Sequence, residues 1–249
     1  MTRQLVAALV LIFVAGQGTS TRAQDARLVL DKAFKAMGGE KKLAEIKSVS
    51  WKGKGTLSFG DDDNPFTSET TLAGLDHLRS SFEANIMGNE IKATTVVAGD
   101  KGWRVFADMK MELDKEGLLN EKRMMYLQLV PVTLVPLRQK EFKVEIGATE
   151  KVGGREAQTL KVTGPDKKEF TLYFDGETGL PVKQVAKVIG FMGDEFTQET
   201  TYDGYKDFEG IKKATKIESK RDGEKFINYE ITEFKALKSV DAGAFKEPD

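Results

Sequence analysis

Val49-Ser50-Trp51-Lys52-Gly53-Lys54-Gly55-Thr56-Leu57-Ser58-Phe59 reads with a period of two. Val49, Trp51, Gly53, Gly55, Leu57 and Phe59 fall on one side, and Lys52, Lys54, Thr56 and Ser58 on the other. A strand turns successive side chains to opposite faces, so this stretch predicts a strand with one face in a core and one in water. The same kind of segment recurs after it at 67–72, 78–86, 91–97 and 103–111. Gly60-Asp61, Gly74, Met87-Gly88-Asn89 and Gly99-Asp100-Lys101-Gly102 separate these segments as turns. The pattern is a meander.

It is interrupted once, over 113–129, where Leu118, Leu119, Met125 and Leu129 suit a helix capped by Asp114. Pro131 and Pro136 then predict an irregular apolar connection through Val132, Leu134, Val135 and Leu137. On this helix Lys115, Glu116, Glu121, Lys122 and Arg123 read as a solvated face. Strands resume at 142–146, 156–163, 169–174, 181–189, 195–205, 214–220 and 225–234. About eleven strands with a helical insertion after the fifth describe a strongly curved sheet or incomplete barrel, mainly antiparallel. Upstream of Val49, residues 25–37 predict a helix with Asp25 as N-cap and an apolar stripe of Leu28, Leu30, Ala33, Phe34 and Met37, stopped by Gly38-Gly39. A short helix over 40–46 follows.

The start of the chain has a different character. Thr2-Arg3, an apolar run over 5–15, and small and polar residues up to Thr21-Arg22-Ala23 have the layout of a signal peptide over 1–23. The run is too short for a bilayer span, which needs about 20 residues. The expectation is an exported, periplasmic or secreted chain whose mature part, 24–249, is one soluble domain. Acids and bases balance to a formal −1 over 249 residues, so no polyanion-binding face is implied and nucleic acid is no candidate. There is no cysteine, hence no disulfide, no thiolate nucleophile and no lipid-attachment cysteine after the leader.

Candidate chemistry is sparse. His77 beside Asp76 has no accompanying Ser or Cys nucleophile motif, so no catalytic residue is assigned. Asp61-Asp62-Asp63-Asn64 lacks the spaced ligands, central Gly and closing Glu of a calcium loop and reads as a solvated hairpin tip before Pro65. No metal and no cofactor is expected. Gly38-Gly39 and Gly153-Gly154 have no phosphate-loop spacing and read as turns.

Four places resemble the LolA/LolB lipoprotein-carrier superfamily. Val97-Ala98-Gly99-Asp100-Lys101-Gly102-Trp103 is similar to its "sDGktlW" hairpin, and Leu172 to Lys183, with Asp175-Gly176 and Thr178-Gly179-Leu180-Pro181, to its "l.iD..tglP.k" hairpin. Thr201-Tyr202-Asp203-Gly204-Tyr205 with Phe208-Glu209-Gly210-Ile211-Lys212 resembles a "Y.dy...dGik.P" strand and turn, and Val240 to Pro248 a "vdd..F..P" terminus. The order of the four spans nearly the whole mature chain. The resemblance implies a half-barrel whose concave face is covered by helices and encloses an apolar cavity that shelters acyl chains. It also implies a lid and a cation contacting that lid; here the helix and the segment after it, 114–137, read either as such a lid or as a permanently docked capping helix. The family's arginine before a proline is replaced here by Leu72-Ala73-Gly74-Leu75, which leaves Arg79 to supply the cation from a shifted position.

An acyl chain needs a dry, deformable groove, each buried methylene contributing about 0.8 kcal/mol, and methionine adapts to such a ligand. Met87, Met109, Met111, Met124, Met125 and Met192 lie on the elements that would face the groove, with Leu118. Trp51, Phe59, Phe82, Trp103, Phe106, Phe174 and Phe191 supply aromatic wall. The same residues would serve equally as the filling of a packed core. Two functions follow: a monomeric periplasmic carrier or binding protein that holds a lipid, an acylated lipoprotein or another apolar ligand without chemistry, and an envelope scaffold with a filled cavity that binds other envelope proteins.

Overall fold

The structure is a computed structural model that describes residues 18–60, 62–86, 88–107, 109–190 and 193–248, with side chains from Gln24 onward. The apolar run over 5–15, Met87, Phe191 and Met192 lie outside the described residues.

Helix α1 (Gly18–Met37) begins before Asp25, which therefore lies inside it and is not its cap. Residues 19–24 contain no helix breaker. Leu30, Ala33, Phe34 and Met37 are buried as the stripe predicts, while Leu28 is exposed. Helix α2 (Glu40–Ala44) follows after Gly38-Gly39. Six strands come next: β1 (Ser48–Phe59), β2 (Asp62–Ala73), β3 (His77–Ile86), β4 (Asn89–Ala98), β5 (Lys101–Phe106) and β6 (Met109–Glu112). Helix α3 (Lys115–Thr133) and a 3-10 turn (Val135–Arg138) lead to β7 (Lys143–Val152), β8 (Arg155–Thr163), β9 (Glu169–Asp175), β10 (Pro181–Ile189) and β11 (Glu195–Asp203). A small hairpin of β12 (Lys206–Phe208) and β13 (Ile211–Lys213) precedes β14 (Lys216–Arg221) and β15 (Glu224–Leu237).

Among the described residues thirteen strands form one open sheet in the order β6-β5-β4-β3-β2-β1-β15-β14-β11-β10-β9-β8-β7. The chain builds it as two meanders sewn together at the centre, where β15 pairs antiparallel with β1. This order explains the place of α3. Strands β6 and β7 are the two outer edges, so the segment joining them must cross from one side of the curved sheet to the other. It does so over the concave face, with Met125, Leu127, Leu129, Val130 and Val132 in the same buried cluster as α1 and the inward side of the strands.

The sheet has one strand more than the twelve segments read from the sequence because 103–111 is a hairpin and not one strand. Ala107 takes a left-handed φ of 50° and its N–H turns back to Lys92 O at 2.9 Å. Without glycine or asparagine at Ala107-Asp108, nothing in the sequence announces the turn.

Pro131 is the second departure. The helix continues through it to Thr133, where an irregular connection was expected. Proline cannot donate to the carbonyl four residues back. Here that carbonyl, Leu127 O, accepts instead from Gln184 Nε2 at 3.2 Å, a buried side chain on β10.

The convex face carries a smaller apolar cluster of its own. Ala73, Val96 and Phe245 are buried there, with Trp103, Ala98, Val240 and Ala244 packed against them. The C-terminal segment lies across β3 to β5 on the side away from α3, and Phe245 meets the His77 ring edge-on at 5.3 Å.

Candidate ligand-binding cavity

A cavity of about 300 Å³ lies between α3 and the inward side of the sheet. The alternation of each strand decides what reaches it. From β1, β2 and β3 come Trp51, Phe66 with Ser68 and Thr70, and Ser80 with Phe82. From β10 and β11 come Gln184, Gln198, Thr200 and Tyr202, and from β14 and β15 come Ile217, Ser219, Arg221, Phe226, Ile227 and Tyr229. Helix α3 contributes Met124, Leu127, Gln128, Pro131 and Val132, and β13 contributes Lys213.

The wall is amphipathic. Its apolar part is aromatic: the Phe66 ring stacks on Tyr229 at 5.5 Å and meets Phe82 at 5.2 Å. Gly53 allows this, because a Cβ there would stand 2.4 Å from the Tyr229 ring. The polar part is a band of hydroxyls and amides that bond to one another. Ser68 and Tyr229 hydroxyls lie 2.8 Å apart, Thr70 and Ser80 3.1 Å, and Thr200 and Ser219 3.0 Å. The Tyr202 hydroxyl donates to Gln184 Oε1 at 3.4 Å, and burial raises its pKa, so it stays a protonated donor.

Among the described residues, two cations and no acid line the cavity. Arg221 Nε donates to Gln198 Oε1 at 3.2 Å and its guanidinium lies 3.6 Å over the Phe226 ring, a cation–π contact. Burial lowers its pKa. Lys213 is 4 % exposed and its Nζ donates to Ala214 O at 3.1 Å. Burial alone pushes its pKa down to about 7.

Helix α3 is fastened over the cavity at one side. Arg123, expected on a solvated face, is 3 % exposed. Its Nε donates to Lys187 O at 2.8 Å, NH1 to Asp166 Oδ2 at 3.0 Å and to the Tyr126 hydroxyl, and NH2 to Glu169 O at 3.1 Å. Tyr126 in turn donates to Asp166 Oδ1 at 2.9 Å. Glu121, from the same expected face, pairs with Arg104 of β5. The sequence does not announce these contacts because strand and turn residues distant in the chain supply the partners.

Of the residues chosen from sequence, Trp51, Phe82 and Met124 line the cavity. Met125 and Phe174 are fully buried in the core, and Leu118 packs against it. Phe106 shares the inward face of β5 with Arg104 but lies outside the lining. Phe59, Met109 and Met111 are exposed at 48, 63 and 47 %. Trp103 belongs to the convex cluster. Arg79, proposed as a lid cation, alternates with the inward Ser80 and pairs with Thr71 and Val96, which puts it on the convex side away from α3. The hydroxyl band and Lys213 were missed. For the band, the signal lay in the alternation of two strands. Gln198, Thr200 and Tyr202 take the inward positions of β11, and Ser219 and Arg221 follow Ile217 on the inward side of β14.

The remaining sites are bland. Among the described residues no group of three or more acidic or histidine side chains could hold a metal ion. Asp63 pairs with Lys225 at 2.6 Å, which together with the Ser58 hydroxyl lowers its pKa. His77 Nδ1 and Asp76 Oδ1 lie 2.9 Å apart at the surface. A wider depression of about 650 Å³, open to solvent, is walled by Lys54, Glu83, Glu90, Lys92 and Glu230 together with Pro65, Ala84, Ile91 and Phe66, the last of which it shares with the cavity. No described helix is long and apolar enough to cross a membrane.

No protein-family model matches the sequence, and no curated protein matches it. Solved structures do. A DUF1329 family protein from Desulfovibrio piger superposes with a TM-score of 0.57 at 10 % identity, covering 89 % of this chain and 97 % of its own. A LolA superfamily protein from Nitrosomonas europaea gives 0.56 at 12 % identity over 89 % and 97 %. A putative outer membrane lipoprotein-sorting protein domain from Vibrio parahaemolyticus gives 0.56 at 11 % over 88 % and 97 %. At such identities the likeness is one of architecture, and it extends over nearly the whole of each of these proteins: this chain shares their fold.

Proposed function

We propose that this protein is an exported binding or carrier protein that holds a lipid or an acyl chain between α3 and the concave face, with no chemistry performed on the ligand. The observation that carries the reading is the cavity of about 300 Å³ walled by Trp51, Phe66, Phe82, Met124 and Phe226. That volume lies at the lower end of small-molecule sites, about 300–1,000 Å³, so it suits one chain and not a bulky multi-chain lipid. Burial of each methylene against such a wall contributes about 0.8 kcal/mol, enough for a long chain to bind without a specific head-group contact. The similar structure named as a putative outer membrane lipoprotein-sorting protein domain supports a lipid as the ligand class, and the leader-like residues 1–23 support export.

The two tryptophans make the test direct, since Trp51 lines the cavity and Trp103 lies on the convex face. In a Trp103→Phe background, a neutral brominated alkyl chain should quench Trp51 emission saturably at one site per chain. If Trp51 stays unquenched at any chain concentration, the cavity is closed to lipids and the protein is a packed scaffold.

A further inference from the structure

Lys213 is the unexplained group of this fold. It sits on a short strand at the cavity wall, nearly sealed from solvent. Among the described residues its ammonium has one acceptor, the carbonyl of Ala214 at 3.1 Å. An ammonium carries three donors, and a charge taken out of water is tolerated only with an opposite charge and further hydrogen bonds. No acidic side chain among the described residues lines the cavity, and burial is the sole influence on the pKa of Lys213, which falls to about 7. A hydrophobic residue of similar length would fill the same space at no such cost.

The other cation of the wall is differently placed. Arg221 is held by Gln198 and covered by Phe226. It lies four residues along β14 from Ile217, on the same inward face, about 13 Å away at the rise of a strand. Lys213 precedes β14 at its Ile217 end, where Tyr202 pairs with Ile217 and donates to Gln184. The cavity thus has a polar end at Lys213, where the chain enters β14 toward the Tyr202–Ile217 pair, and an aromatic run through Tyr229, Phe66 and Phe82.

We propose that the missing charge arrives with the ligand: the cavity selects a single-chain anionic amphiphile, a long-chain carboxylate, whose head group pairs with Lys213 and whose chain lies along the aromatic wall. This inference rests on the carrier reading and adds the chemical class of the head group. An incoming carboxylate would restore the lysine to its charged form and occupy the donors that the fold leaves open. The small volume of the cavity fits one chain.

The test compares labelled dodecanoate with labelled 1-dodecanol by equilibrium dialysis against the mature chain at pH 7. The wild type should hold the acid about tenfold or more tighter than the alcohol, the worth of one charge-assisted hydrogen bond. Lys213→Met should bring the ratio of acid to alcohol affinity to about one, whatever the change does to each affinity alone. Equal affinity of the wild type for acid and alcohol overturns the inference, and so does a full acid preference in Lys213→Met. If neither chain binds, the carrier reading fails, and this inference fails with it. If the alcohol binds and the acid has no advantage, the carrier reading survives alone.

Discussion

A buried lysine with a pKa near 7 leaves a mark on stability as well as on binding. In the unfolded chain Lys213 titrates near the ordinary 10.5, and in the ligand-free fold near 7. Between those values the unfolded chain binds a proton that the folded one does not, so stability rises with pH across that window. Below about pH 7 both states are protonated and the penalty of burial is felt in full. Lys213→Met should therefore be more stable than the wild type at pH 6, by at least about 2 kcal/mol. The difference should shrink steadily toward pH 10. Urea denaturation of the two proteins at several pH values measures it, and taking the difference between them removes the contribution of the tyrosines that titrate above pH 10. A pH-independent difference would mean that Lys213 keeps its ordinary pKa. Nothing at Lys213 in the sequence signals this role. Ile211-Lys212-Lys213 follows Glu209-Gly210 as an ordinary turn and strand start, and only the fold shows that one of two adjacent lysines faces inward.

At the scale of elements, legibility follows the range of the interaction that shapes each one. Strand β1 was readable because alternation is local, and its burial follows the pattern from Val49 to Gly53. The stripe of α1 was readable for the same reason. The run of α3 through Pro131 was not, since the donor that satisfies Leu127 O comes from Gln184 on β10. Nor was the burial of Arg123, whose acceptors lie on Asp166, Glu169 and Lys187. That cluster fastens one side of α3 to the sheet in addition to its apolar packing, and removing one member tests it. Asp166→Ala strands a guanidinium that is 3 % exposed and frees the Tyr126 hydroxyl, which should cost about 3–5 kcal/mol. The loss should be uneven. Amide hydrogen exchange should quicken through α3 before it does so in β1 and β15, which hold the centre of the sheet. Uniform loss of protection would show that helix and sheet open as one unit and that α3 cannot act as a lid by itself.

At the scale of the whole molecule, the two faces of the sheet divide the work. The four family-like motifs were enough to indicate a curved antiparallel sheet, but not which apolar residues face which side. Trp103, chosen for the cavity, packs on the convex face because β5 places it opposite Val96 and Glu112. The same division predicts the outcome of two truncations. Strand β15 is central, pairing with β1 on one side and β14 on the other, and Ser48 bonds across 191 residues of chain to Ser239. A chain ended before Glu224 would leave two half-sheets with bare inner edges and should not fold. Removing only 240–249 strips the convex cluster of Phe245, which is 3 % exposed, at a cost of about 3–5 kcal/mol, comparable to a large-to-small change in a core. That shorter truncation should stay folded, with a lower Tm and a red shift of Trp103 emission as the cover over the convex cluster is lost. Chain binding followed by Trp51 quenching should be unchanged, because none of the deleted residues lines the cavity. Loss of binding in the short truncation would mean that the curvature of the sheet, and with it the width of the cavity, is set from the convex side.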